Sequence, residues 1–141
     1  MKDLLEILIF AATLGSGLVA GIFFAFSTFV MRALARIPQE QGIAAMQAIN
    51  VTVLNPWFLG AFFGTGAACL SIAFLAWGDV AGAQRACLFA ACALYLFGCI
   101  LVTMVGNVPL NDQLAAVRIG NAEATLLWSH YLSRWTLWNH V

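Results

Sequence analysis

The chain has 141 residues, 63% of them hydrophobic and 9% charged, and its six Lys+Arg balance six Asp+Glu. Soluble domains carry about a quarter charged residues, so this composition excludes an ordinary water-soluble domain. Charge neutrality also excludes a basic face for nucleic acid. With a mean hydropathy of +0.94, the expectation is one all-α transmembrane domain over residues 1–141, a multi-pass helical bundle in contact with membrane lipid.

Three uncharged apolar runs, Ile7 to Val30, Trp57 to Gly78 and Ala86 to Val105, carry this expectation. About 20 apolar residues match a hydrocarbon core of about 30 Å, so spans are predicted at about 5–30, 57–78 and 85–105. Lys2 followed by an apolar stretch with Leu18-Val19-Ala20 resembles a cleaved leader. Against that, the run continues through Gly21-Ile22-Phe23-Phe24, and Asp3 and Glu6 are poor leader residues. A retained first span is predicted, with Glu6 snorkelling outward near its start. Gly17 with Gly21, and Gly60 with Gly64, have the spacing of close helix contacts and predict packing within the monomer.

Between the first two spans, Pro38 suits a helix start. Ile43, Met46, Ile49 and Val53 follow at helical spacing, with Gln39, Glu40, Gln41 and Gln47 on other faces. The pattern predicts an amphipathic helix over about 39–53, lying at the membrane surface and ended by Asn55-Pro56. Gly78 to Arg85 reads as a short hairpin joining antiparallel spans. Pro109 is expected to break the third span, with Asn111 or Asp112 capping a short new helix. Gly120-Asn121 reads as a turn before a last helix, about 122–141. At 100° per residue this helix gathers Trp128, Tyr131, Trp135, Trp138 and Asn139 on one face, and Glu123, His130 and Arg134 on another. Its aromatic face predicts that it starts at the membrane–water boundary.

Arg32, Arg36, Arg118 and Arg134 fall on one side of this topology and Lys2 and Arg85 on the other, which weakly favours the first side as cytoplasmic. Asn50, Asn55, Asn107, Asn111, His130, Asn139 and His140 are expected at that same face. The four cysteines (Cys69, Cys87, Cys92, Cys99) lie in apolar runs without zinc-type spacing and read as soft packing residues. His130 and His140 are about 80° apart around a helix with no acid or thiol beside them, so no metal site is expected.

The ordered set Gly21-Ile22-Phe23-Phe24-Ala25-Phe26-Ser27, Gly42 to Asn50, Asn55-Pro56, Asn107-Val108-Pro109-Leu110-Asn111 and Trp135-Thr136-Leu137-Trp138-Asn139-His140 resembles the anthrone oxygenase-like membrane proteins. The resemblance covers nearly the whole chain and implies a bacterial cell-membrane protein. Fungal members oxidise anthrones to anthraquinones without metal or flavin, whereas most bacterial relatives have no assigned substrate. Two departures stand out. Arg32 replaces a usual proline, which bears on how the first span ends. The family's Trp-Asn-His motif normally opens a fourth span, whereas here Val141 follows it directly. The last helix is therefore expected as a stub, the chain being either a shortened product or one completed by a neighbouring copy in a homo-oligomer.

The implied chemistry needs a base, donors for a developing oxyanion and an apolar slot for a flat aromatic molecule. His140, or less readily His130, would be the base. Asn107, Asn111, Asn139 or Asn55 would supply donors. Trp128, Tyr131, Trp135 and Trp138 would wall the slot. No cofactor is implied. The same residues also have plain readings: solvated histidines, asparagines closing turns, aromatics anchoring the interface. The alternative is therefore a non-enzymatic membrane protein that binds a lipophile or serves as a partner subunit.

Overall fold

The computed structural model describes residues 2–140 as five helices: α1 (Lys2–Leu34), α2 (Gln39–Thr52), α3 (Pro56–Asp79), α4 (Gly82–Ala116) and α5 (Ala122–His140). No strand occurs among the described residues. Helices α1, α3 and α4 have 33, 24 and 35 residues and are each long and apolar enough to cross a membrane. Even α3, at about 1.5 Å per residue, exceeds the thickness of a hydrocarbon core. Large side chains on them are left uncovered, with Phe74 81% and Trp77 74% exposed. Water would penalise such surface at about 25 cal/mol per Å², whereas lipid tails would not. The fold is that of an integral membrane protein.

Residues 2–20 pack with Pro56–Leu101 as one unit, and Gly21–Asn55 with 102–140 as another. In the first unit, α3 and α4 are joined through Val80 and Ala81, and Gly82 makes the reversal in the left-handed region (φ +62°), which glycine adopts without a Cβ penalty. Leu5 and Ala12 of α1 meet Cys69 and Ile72 of α3 and Cys92 and Tyr95 of α4 in its core. The close approaches are made at Gly15, where a Cβ would collide with Thr65, and at Gly66, where it would lie 2.6 Å from Ile100 Cδ1. This corrects the expected contact glycines. At Gly17, Gly21, Gly60 and Gly64 an added Cβ would meet nothing within 4 Å. Gly17 and Gly64 are each two residues, about 200°, from the glycine that does pack, so they face away from the partner helix.

In the second unit, the apolar stripe of α2 is packed on protein. Ile43 and Met46 are fully buried with Met31, Leu34, Leu110, Leu114, Ala124, Trp128, Tyr131 and Trp135. Gly42 makes this possible: a Cβ there would lie 2.9 Å from both the Leu34 carbonyl and the Trp128 ring.

The third span departs from expectation at Pro109, which does not end it; α4 runs on to Ala116. The reason is a π-helical stretch over Thr103–Asn107, in which the Val108 N–H bonds to the Thr103 carbonyl five residues back. That wider turn makes room for a ring with no N–H, so the proline is carried inside a continuous helix. Neither Asn111 nor Asp112 is needed as a cap. The chain then turns at Gly120 (φ +93°), and Asn121 Oδ1 accepts the Ala124 N–H at 2.7 Å to start α5.

Candidate functional site

Every polar residue expected at one face falls in the second unit, and helices α2, α4 and α5 bring several of them into one network. Its centre is Asn111. Asn111 Oδ1 accepts from the Tyr131 hydroxyl at 2.7 Å and from Trp135 Nε1 at 2.8 Å. Residues 131 and 135 are one helical turn apart, so a single carboxamide oxygen on α4 ties down two successive rungs of α5. Asn50 Nδ2, from α2, makes a long 3.5 Å bond to the Tyr131 oxygen. Asn107 is 5% exposed and donates through Nδ2 to the Trp135 carbonyl at 3.1 Å. Asn107 sits at the end of the π-helical stretch, and its neighbour Gly106 lets the Trp138 ring come against the α4 backbone.

The aromatic face of α5 forms a ladder within this network. Trp128 stacks on Tyr131 with centroids 5.7 Å apart, Tyr131 on Trp135 at 6.3 Å, and Phe26 of α1 tilts against Trp135 at 5.4 Å. Trp128, Tyr131 and Trp135 are buried and Trp138 half-buried. These rings pack against protein, with Glu123, His130 and Arg134 exposed on the opposite face.

Burial drives the Tyr131 hydroxyl's pKa well above the usual tyrosine range, and the Asn50 bond only partly opposes that. The folded value therefore exceeds the unfolded one, about 10. Tyr131 contributes its full stability below pH of about 10 and loses it as the pH rises toward the folded value, because the unfolded chain releases the proton first. Alkaline unfolding of the wild type is expected to be steeper above that pH than that of Tyr131→Phe. Parallel curves from circular dichroism would remove the effect.

Asn139 and His140 end α5 differently. Asn139 Nδ2 donates to the Phe23 carbonyl at 2.8 Å and to Ser27 Oγ at 2.6 Å, both on α1. His140 is exposed, and its Nδ1 lies 2.6 Å from the Thr136 carbonyl. A carbonyl oxygen only accepts, so Nδ1 carries the hydrogen. Asn55 Nδ2 donates to the carbonyls of Thr52 and Val53, closing the end of α2 before Pro56.

Hollows open on this unit. One of about 260 Å³ is lined by residues including Pro38, Glu40, Ile43, Asn121 and Thr125, and one of about 500 Å³ by residues including Gln113, Arg118, Asn121 and Glu123. None of the expected site residues lines either of them. Among the described residues, no three His, Cys, Asp or Glu side chains come together in a way that could hold a metal ion.

Gln47 is expected on a face of α2 away from its apolar stripe. Gln47 Nε2 donates to the carbonyls of Leu114 at 2.7 Å and Val117 at 3.3 Å, where the ladder of α4 runs out and the Leu114 carbonyl also takes the Val117 N–H at 3.4 Å. Ser27 joins this network although no role is assigned to it from sequence, where it is visible only as the last residue of the Gly21–Ser27 motif and as a hydroxyl inside an apolar run.

A profile of the family described as anthrone oxygenase matches residues 55–141, more than half of the chain. Searches of curated proteins and of solved structures give no match.

Proposed function

Since this chain belongs to the anthrone oxygenase family, we propose that it oxygenates an anthrone-like aromatic carbon acid by deprotonation and reaction with dioxygen. The observation that carries this reading is the Nδ1 contact of His140. With Nδ1–H directed at the Thr136 carbonyl, the base form of the imidazole has its lone pair on Nε2. The ring is exposed, so a substrate dissolved in lipid has access to it.

The C–H beside the carbonyl and between two rings is acidic because its anion is delocalised. Nε2 takes that proton. The carbanion gives one electron to dioxygen, and the superoxide and carbon radical combine to form a C–O bond. The imidazolium returns its proton to the peroxide. Loss of water, with the carbon's second hydrogen, then gives the ketone: CH₂ + O₂ yields C=O + H₂O. The substrate supplies all the electrons, so this balance calls for no reduced cofactor.

In this reading Asn107 and Asn139 hold α5 rather than stabilise the oxyanion, because their amide nitrogens donate to protein carbonyls, and Asn111 holds α5 through its oxygen. Protein in lipid nanodiscs, given an anthrone and air, is expected to form quinone with one dioxygen consumed per product. His140→Ala should slow the protein-dependent rate about 100-fold, the usual worth of a general base. Equal rates in loaded and empty nanodiscs would dismiss the reading.

A further inference from the structure

We infer that Ser27 is a positioning residue for His140, an assignment that rests on the proton-abstraction reading above. Helical serines and threonines ordinarily bond back to their own helix, four residues earlier. Thr13 does so to Ile9, Thr28 to Phe24 and Ser71 to Ala67, at 2.7 to 3.0 Å. Ser27 does not. Its own carbonyl four residues back, that of Phe23, is taken by Asn139 Nδ2, and the same nitrogen donates to Ser27 Oγ. Ser27 Oγ also lies 3.5 Å from the Asn139 carbonyl, placed to donate in return.

The local cause is a π-helical stretch of α1 over Phe26–Val30, where the Met31 N–H bonds to the Phe26 carbonyl five residues back. An extra residue in the turn rotates the side chains after it and loosens the regular carbonyl ladder. One turn of α1 therefore grips both the side chain and the main chain of Asn139. Phe26 grips Trp135, one turn earlier on α5. A helix held at two points one turn apart on the same face cannot roll about its axis. His140 follows Asn139 by about 100°, so fixing Asn139 fixes the heading of the imidazole.

Ser27 does not touch the reacting atoms in this scheme; it acts through Asn139. In the nanodisc assay Ser27→Ala is expected to lower kcat about tenfold, as misplacement of a reacting group does. KM should stay within about twofold and the unfolding midpoint within about 4 °C, since a single hydrogen bond to a half-buried hydroxyl contributes little net stability to a chain of this size. Ser27→Thr, which keeps the hydroxyl, should restore the rate. A second readout is the ring ¹⁵N resonances of His140, assigned by their loss in His140→Ala. Ser27→Ala should shift or broaden them, and Ser27→Thr should not.

A wild-type kcat in Ser27→Ala alongside a slow His140→Ala would overturn the assignment. So would a fall in stability matching the fall in rate, without rescue by threonine. If His140→Ala leaves quinone formation unchanged, the proton-abstraction reading fails by itself. The positioning of His140 is then decided by the resonances: unchanged spectra in Ser27→Ala overturn it, and altered spectra sustain it.

Discussion

Asn111→Leu is expected to destabilise the protein by about 2–6 kcal/mol, because one substitution strands two buried donors. The Tyr131 hydroxyl and Trp135 Nε1 both end on Asn111 Oδ1, and each buried group left without its partner costs about 1–3 kcal/mol. Tyr131 and Trp135 are almost fully buried, 0% and 7% exposed, so water cannot replace the lost acceptor without opening the core. Tyr131→Phe, which removes one donor and leaves the other bond intact, should cost only about 1 kcal/mol. In the double variant Asn111→Leu with Tyr131→Phe, one stranded group disappears, so the two costs should add to more than the measured total. Thermal unfolding followed by circular dichroism in one detergent checks all three. An Asn111→Leu midpoint close to that of Tyr131→Phe would show that Asn111 is not the hub.

The second large effect is expected at Gly106. A Cβ at this position would lie 2.5 Å from Trp138 Cδ2 and 2.6 Å from Cγ. These are the inner atoms of the indole, nearest its attachment, so the ring cannot swing aside by moving its tip. Gly106→Leu should cost about 3 kcal/mol, the upper end of the penalty for overpacking. It should also displace the end of α5 and lower quinone formation. Gly64→Ala is the control: nothing lies within 4 Å of its methyl position, and alanine is favoured over glycine within a helix by up to about 1 kcal/mol. Trp138→Leu in the Gly106→Leu background should recover part of the loss. Equal stability of Gly106→Leu and Gly64→Ala would refute the contact.

The same contrast explains why the helices are easier to read than their contacts. Apolar runs of about 20 residues in lipid read as helices, since at that length a helix satisfies every backbone N–H and C=O within the segment. Gly17 with Gly21 and Gly60 with Gly64 have the right spacing for packing, yet the packed positions are Gly15, Gly66, Gly42 and Gly106. In an all-apolar helix no polar face marks the outside, so spacing alone leaves the packed direction open. Pro109 misleads for a related reason. Its usual clash is with a regular turn, and the π-helical turn before it is a tertiary adaptation, holding Asn107 and Gly106 against α5.

On α5 the division is clearest. The sequence by itself determined that Trp128, Tyr131, Trp135, Trp138 and Asn139 share one face, because helical periodicity is a local property of 100° per residue. Only the tertiary structure decided what that face meets. Asn111 and Asn107 arrive from the preceding helix α4 and Ser27 from α1 at the far end of the chain, and their pairing depends on where the π-helical turns at Phe26–Val30 and Thr103–Asn107 rotate the backbone. Periodicity orders side chains around one axis; hydrogen-bond partners across helices are selected by the mutual fit of several axes, which no single segment encodes.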